Sequence, residues 1–485
     1  MDRTKVTAST SAPSGDGKSL RQIIGAVSIV GVGVGGAIGS GIFRTPGELA
    51  QLVQSPWHIL GLWAAAGVLT LMQSLVTAEL ATRMPEAGGE YQYLKAAYGR
   101  FAAFIFGWSF TIFIIGAGGA TIAAALGDFA ATLCGLNPAN ASPRFACAAI
   151  ALVTGINCLG LRTGAITQNL LTGLKVASVI GIAAGAMIVA GRWIPAEAPA
   201  QTVSTASSSI DAVAHGTAVP MSFWGKSALL FQAMLLAFWP YTGATDPAKL
   251  AEETRDVRHA MPRALVTTVV ILTIVYMLYN YALLCAMPPS TTAARPDVHS
   301  AIFHDVKGLP IETLILIASI LICLGALSSV FLANTRVTFA LARDGLTFQL
   351  LGRMSPHQAP TASLIACGAI ACAFALSRGF SQILSIYFMG STILFGLAYA
   401  SLIVLRRRDA ALNQPFPSDA FRLPGGIPIA CVLILVEVAI AASLVHADVM
   451  TWSGPAGQRS YDTLYSLSFF GVLAIFFLAW RRRRA

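Results

Sequence analysis

Charge is what this chain has least of: Asp, Glu, Lys and Arg make up 11% of its 485 residues, against 55% hydrophobic residues and a mean hydropathy of +0.69. Soluble domains run near about a quarter charged, so lipid is the expected solvent for most of this chain. Sustained polar–apolar alternation is also missing. The apolar runs are continuous, which excludes a transmembrane β-barrel and suits helices of about 20 residues crossing a hydrocarbon core about 30 Å thick. No Cys-x-x-Cys or Cys/His ligand spacing occurs among the eight cysteines, which read as small buried hydrophobes rather than a disulfide framework or metal site. The seven histidines are scattered over loops and ends, leaving no titratable cluster for a membrane enzyme. Residues 1–20 are polar, rich in Ser and Thr, and without the apolar core of a signal peptide. They read as a disordered cytoplasmic tail.

What is present is an all-α polytopic pattern. Hydropathy, punctuated by Gly, Pro and charge, predicts twelve transmembrane helices near 23–45, 57–80, 101–126, 145–161, 167–191, 227–246, 264–287, 313–341, 361–377, 383–405, 426–446 and 461–480. An even number puts both termini on one side. That side then carries 23 of the 32 Lys and Arg residues and the other side 8, with Lys175 inside a span. The bias predicts cytoplasmic termini and an inner-membrane protein, with the basic run Arg481 to Arg484 as a stop-transfer anchor against the lipid bilayer. This placement accounts for the net charge of +10 without any nucleic-acid partner.

Two spans look broken. Gly31 to Gly41 holds six glycines in eleven residues. Each costs about 1 kcal/mol against Ala in a helix interior, so the density predicts unwound backbone, which a membrane tolerates only where it lines a cavity or is buried in protein. Close helix packing through Gly-x-x-x-Gly pairs is the competing explanation. Gly31, Gly33 and Gly36 also spell a dinucleotide-type Gly-x-Gly-x-x-Gly, but no strand precedes it. The second break is Phe238-Trp239-Pro240-Tyr241-Thr242-Gly243, where Pro240 removes an amide donor. Two interrupted spans five apart predict a five-plus-five inverted repeat with broken helices 1 and 6. The organisation would be a tail over 1–20, a ten-helix core over 21–405 with repeats at about 21–191 and 227–405, and two further spans with a basic tail over 406–485. Half-helix N-termini at such breaks favour a carboxylate; free carbonyls favour an ammonium.

These residues resemble a known family. Ala37-Ile38-Gly39-Ser40-Gly41-Ile42-Phe43 with Pro46 is similar to the first-span signature of amino acid permeases of the amino acid–polyamine–organocation superfamily, in particular their L-type and basic amino acid transporter-like branch. Met84-Pro85-Glu86-Ala87-Gly88-Gly89-Glu90, Asn157 to Arg162 with Gln168, Glu252-Glu253 with Met261-Pro262-Arg263, and Ala342 to Gly345 with Pro360 resemble that family's later motifs, in the same order. The resemblance implies a secondary active transporter of amino acids, with neutral L-amino acids favoured by the lack of an acidic residue in the expected site. It implies that Ser40 and the amides near Gly41 hold the substrate carboxylate, that carbonyls near Ala37, Trp239 and Thr242 hold its amine, and that Ile38, Gly39 and Tyr241 complete the site. Trp239 would be an aromatic gate over the substrate, with an interfacial belt position as the alternative. Glu253 would belong to a gate, either in a network with Glu252, Asp256 and Arg263 or in a solvated loop. Pro240 and Thr245 depart from the residues common in the family and leave substrate identity open. No cofactor, metal or catalytic residue is implied.

Lys175 stands alone inside an apolar span, where charge is costly and should face the bundle or water unless it snorkels to the surface. In the resembling permeases that lack sodium coupling, a lysine here reaches the broken first span near Gly36 and stands in for the cation. Lys175 would then either titrate, coupling transport to protons, or stay charged and support an exchanger. Glu79 and Asp128 read as residues of solvated helix ends. A polyamine or amine carrier and a transporter-like amino acid sensor are the alternatives. Oligomeric state is not legible.

Overall fold

A computed structural model describes residues 20–39, 41–195, 223–293, 302–303, 311–377, 380–452 and 462–482. Residues 1–19 of the expected tail, Ser40 and Arg483 to Arg484 lie outside the described residues, while Leu20, counted with the tail, is buried and donates its amide to Glu252 at 3.1 Å. Among these residues the chain is helical, apart from turns and one isolated bridge, Ile24 to Thr254.

The first apolar stretch forms two helices rather than one, α1 (Ala26–Ala37) and α2 (Gly41–Leu52). Ser55 caps α3 (Pro56–Arg83) with Pro56 in its first turn, where a missing amide costs nothing. After α4 (Glu90–Tyr98) comes α5 (Arg100–Leu133), whose middle, Phe110–Ala117, is wound as a π-helix. Asn137 caps α6 (Pro138–Cys158), and α7 (Leu161–Ala190) ends on Gly191 in the left-handed conformation. α8 (Phe223–Phe238) stops at Pro240, and two 3₁₀ segments, Trp239–Tyr241 and Asp246–Glu253, lead into α9 (Val257–Ala286). α10 (Ile311–Arg343), α11 (Thr361–Ser377), α12 (Phe380–Ala411), α13 (Gly426–Trp452) and α14 (Asp462–Arg482) complete the chain.

Seven of these helices are long and apolar enough to cross a membrane, namely α3, α5, α6, α7, α9, α10 and α13. Burial separates the centre from the rim. The apolar window of α5 is 72% buried and that of α13 only 22%, so α5 is a central post and α13 shows most of its surface to lipid. Leu170, Ile188, Val189, Leu435 and Val438 are exposed accordingly, which in a bilayer carries no penalty. α1 is cradled by α7, α9 and α10. An aromatic knot of Trp63, Tyr241 and Tyr276 fixes α3, α9 and the break after α8, with Tyr241 and Tyr276 rings 4.9 Å apart and edge-on.

Two expectations are corrected. Glu79 is fully buried rather than solvated: Arg406 grips it with Nε at 2.8 Å, and the Leu423 amide donates to it at 2.7 Å. Desolvating a carboxylate at a helix end is tolerable only because α12 and the loop before α13 supply these donors. The cysteines are unpaired, but Cys134 and Cys431 are exposed rather than buried. Cys431 faces outward on a helix whose surroundings are apolar.

Candidate functional site

Ending α1 at Ala37 leaves carbonyls without intrahelical donors. The Lys175 side chain, 1% exposed, meets this need: its Nζ donates to Gly35 O at 2.7 Å and Ile38 O at 3.0 Å. It does not snorkel. Room for it exists because position 325 on α10 is glycine, where a Cβ would stand 2.5 Å from Lys175 Cε. Thr172, one turn away, donates to Gly31 O at 2.8 Å, and Ser329 from α10 to Val32 O at 2.7 Å. Lys175 thus serves carbonyls at the end of α1 that lack intrahelical donors, while Thr172 and Ser329 tie the body of α1 to α7 and α10.

The second break packs directly on the first. Gly243 has φ +98°, and a Cβ there would lie 3.0 Å from the Gly36 carbonyl carbon. Only glycine suits both the conformation and the approach. Pro240 leaves its carbonyl to the Tyr276 hydroxyl at 2.6 Å, and the Tyr241 hydroxyl donates to Trp63 O at 3.1 Å. The Trp239 carbonyl accepts from the Thr242 amide at 3.1 Å and hydroxyl at 2.7 Å. The Trp239 indole lies beside Gly41, close enough that a Cβ there would meet it at 2.7 Å.

Between the breaks is a cavity of about 60 Å³. Gly36, Ala37, Gly39, Gly41, Trp239 and Thr242 line it, as do Ile114 from the π-helical turn, Gln73 from α3, Asn334 from α10 and Phe395 from α12. Ile38 and Tyr241 do not: the first gives its carbonyl to Lys175 and the second is part of the aromatic knot.

The cavity also reaches Thr245 and one acidic residue, Asp246. Asp246 is not a free carboxylate. Asn334 donates to its Oδ2 at 3.0 Å, and Lys249 to its Oδ1 at 3.0 Å. Lys249 is fully buried, reaches Glu90 at 3.2 Å, and lies 5.2 Å from the Phe110 ring centre. Burial alone would lower its pKa, but Asp246 and Glu90 more than offset this and hold it above the ordinary lysine range. The Asp246–Lys249 pair is local, three residues apart, but Glu90 comes from 159 residues away, so spacing alone does not announce the triad.

Glu253 lies outside the cavity in a second buried layer. It is 1% exposed and takes both arms of the Arg336 guanidinium at 3.2 Å. Glu252 pairs with Arg343 and accepts the Ala87 amide; Asp256 pairs with His259; Arg263 instead lines a groove beside Arg258. The expected four-residue network is therefore three separate pairs. The segment before α1 closes over this layer: the Ile23 and Ile24 amides donate to Glu253 O at 3.0 Å, and the Arg255 amide to Ile24 O at 2.9 Å. Among the described residues no group of His, Cys, Asp and Glu could hold a metal ion.

Comparison with known proteins agrees with this architecture. A family model described as Amino acid permease matches residues 24–477. The b(0,+)-type amino acid transporter 1 of Mus musculus is 26% identical over 472 residues, 96% of this chain and 90% of that protein. The Asc-type amino acid transporter 1 of Homo sapiens is 26% identical, covering 82% of this chain and 73% of its own length. An uncharacterised transporter of Mycobacterium bovis is 27% identical over 439 residues. These relatives are transporters, not enzymes. With broken helices meeting at a cavity inside an apolar helical bundle and a family match over nearly its whole length, the chain belongs to the amino acid permease family of the amino acid–polyamine–organocation superfamily, and is an integral membrane protein.

Proposed function

We propose that this permease carries small neutral L-amino acids by alternating access without sodium, as an exchanger or proton symporter. The observation that carries the reading is the Lys175 ammonium on the carbonyls of Gly35 and Ile38. A fixed cation occupies the carbonyls that a coupling ion would need, so a second cation there would meet both like charge and spent acceptors. The substrate carboxylate is assigned to the amides at the start of α2, around Ser40 and Gly41, where the helix dipole favours an anion. The ammonium is assigned to carbonyls near Ala37, Trp239 and Thr242, with Trp239 closing over it.

Neutral side chains follow from Asp246. A cationic substrate or polyamine would need a carboxylate with an oxygen free to face it, and both oxygens of Asp246 are committed, Oδ1 to Lys249 and Oδ2 to Asn334. In this reading α1 with α2, and α8 with the Trp239–Tyr241 turn, are spans 1 and 6 of twelve, arranged as a five-plus-five inverted repeat followed by two further spans. Both termini are cytoplasmic on the basic-residue bias, in an inner membrane, so the Glu253–Arg336 layer is the inner gate.

Thermal unfolding of the purified protein against a panel of L-amino acids tests the site. Small neutral amino acids should raise the midpoint in a saturable way without sodium, by the linkage between ligand binding and stability. A shift with polyamines alone would reject neutral selectivity. Stabilisation without counterflow in proteoliposomes would identify a sensor.

A further inference from the structure

One buried ionisable group plays no part in this site. Glu437 lies on α13 within an otherwise apolar run, Ile434 to Ile440, eleven residues from the start of the helix at Gly426 and hence about 16 Å along it, at mid-membrane depth. It is 8% exposed on a helix that is mostly lipid-facing, and it falls on the inward stripe with Leu433 and Ile440. It packs against α12 at Gly396, where a Cβ would be 3.6 Å from Glu437 Cβ.

Among the described residues its carboxyl has no hydrogen bond or ion pair. The charged groups on the helices around it are elsewhere. On α12 and α3, Arg406 holds Glu79 and Arg83 holds Asp409. His58 on α3 stands at a helix end, as do His446 and Asp448 on α13 itself, and in sequence Lys226 is the fourth residue of α8 and Asp462 the first of α14. Tyr399, one turn along α12 from Gly396, accepts from the Gln73 amide. An intramembrane acid without a partner either keeps its proton or must be reached by a cation.

We propose that Glu437 is a proton-binding site inside the membrane, loaded and emptied during the transport cycle. The position supports this use. α13 packs on α12 and α8, the two elements that bring Phe395 and Phe238 to the cavity, so closure around a substrate moves the helices that enclose the carboxyl. The O–H bond forms when a proton enters from one aqueous face and breaks when the proton leaves to the other; nothing is oxidised or reduced. The proposal rests on the amino acid transport reading and selects its proton-symport form.

Infrared difference spectroscopy of the purified protein in lipid nanodiscs, between acid and alkaline buffer, tests the site without requiring transport. Wild type should show the C=O stretch of a protonated carboxylic acid that titrates and shifts when a bound amino acid is added. E437Q should lack that band, and E437D, a second variant in case the first does not fold, should move it. A spectrum the same in E437Q as in wild type overturns the proposal. In proteoliposomes an inward proton gradient should raise wild-type amino acid uptake several-fold and leave E437Q unstimulated, while V438A, on the neighbouring lipid face, keeps the stimulation. Wild-type exchange indifferent to the gradient overturns proton coupling and leaves the transport reading standing; no amino acid movement at all overturns that reading, with the infrared result deciding Glu437 by itself.

Discussion

Gly243 shows how much a single position constrains the site. Its φ of +98° and its approach to the Gly36 carbonyl carbon are both closed to a side chain. Gly243→Ala should destabilise the protein by about 1–3 kcal/mol, measured as a lowered unfolding midpoint, with transport reduced more than stability because the two breaks are forced apart. Trp239→Ala should raise KM for uptake at least several-fold, since the indole covers Gly41, and should also lower the unfolding midpoint, since the ring is buried in the core. Glycine density at Gly31 to Gly41 and the lone Lys175 were legible from the sequence because backbone cost and membrane cost are local properties. The state of Asp246 was not legible, because whether its carboxylate is free for substrate or already engaged depends on Asn334 and on Glu90, which shares Lys249, arriving from two other elements. Glu437 was visible as a letter but not as a site, since a span's sequence does not say whether its acid has a partner.

At the scale of elements, buried ion pairs do the joining. Lys249 ties the segment after α8 to α4, and the Arg336–Glu253 pair ties it to α10. Removing one member of such a pair leaves a buried charge uncompensated, at about 3–5 kcal/mol. Arg336→Met should therefore unfold at markedly lower temperature, and the double variant Glu253→Met with Arg336→Met should recover most of the loss; equal loss in single and double variants would mean the pair is not what holds this layer. Lys249→Met should be as harmful, with Asp246→Asn in the same chain restoring part of the stability. The sign of its pH dependence follows from its raised pKa. Lys249 contributes stability that is complete below the usual lysine value of 10.5 and is lost only as pH rises through the higher folded value, so neutral and mildly alkaline buffers leave this tie intact. The sequence reading grouped Glu252, Glu253, Asp256 and Arg263 because they share one loop. Side-chain reach across helices decided otherwise, sending Glu253 to Arg336 and Glu252 to Arg343.

For the whole molecule, composition and hydropathy made the helical membrane class legible, and the ordered motifs made the family legible. The number of spans is less direct, because broken and short helices such as α1, α8 and α11 fall below what length alone recognises as a crossing, and seven helices meet that criterion among the described residues. The account joins the two levels in one claim: an amino acid permease in which a lysine fixed on the broken first helix takes the place of a coupling sodium ion. Sodium-free uptake of labelled small neutral L-amino acids into preloaded proteoliposomes, with wild type and Lys175→Ala compared side by side, tests it most directly. The account predicts saturable uptake by wild type that falls at least about tenfold in the variant while the variant remains folded, because the carbonyls of Gly35 and Ile38 are left without a donor. Undiminished uptake by Lys175→Ala, or wild-type uptake that requires sodium, would contradict it.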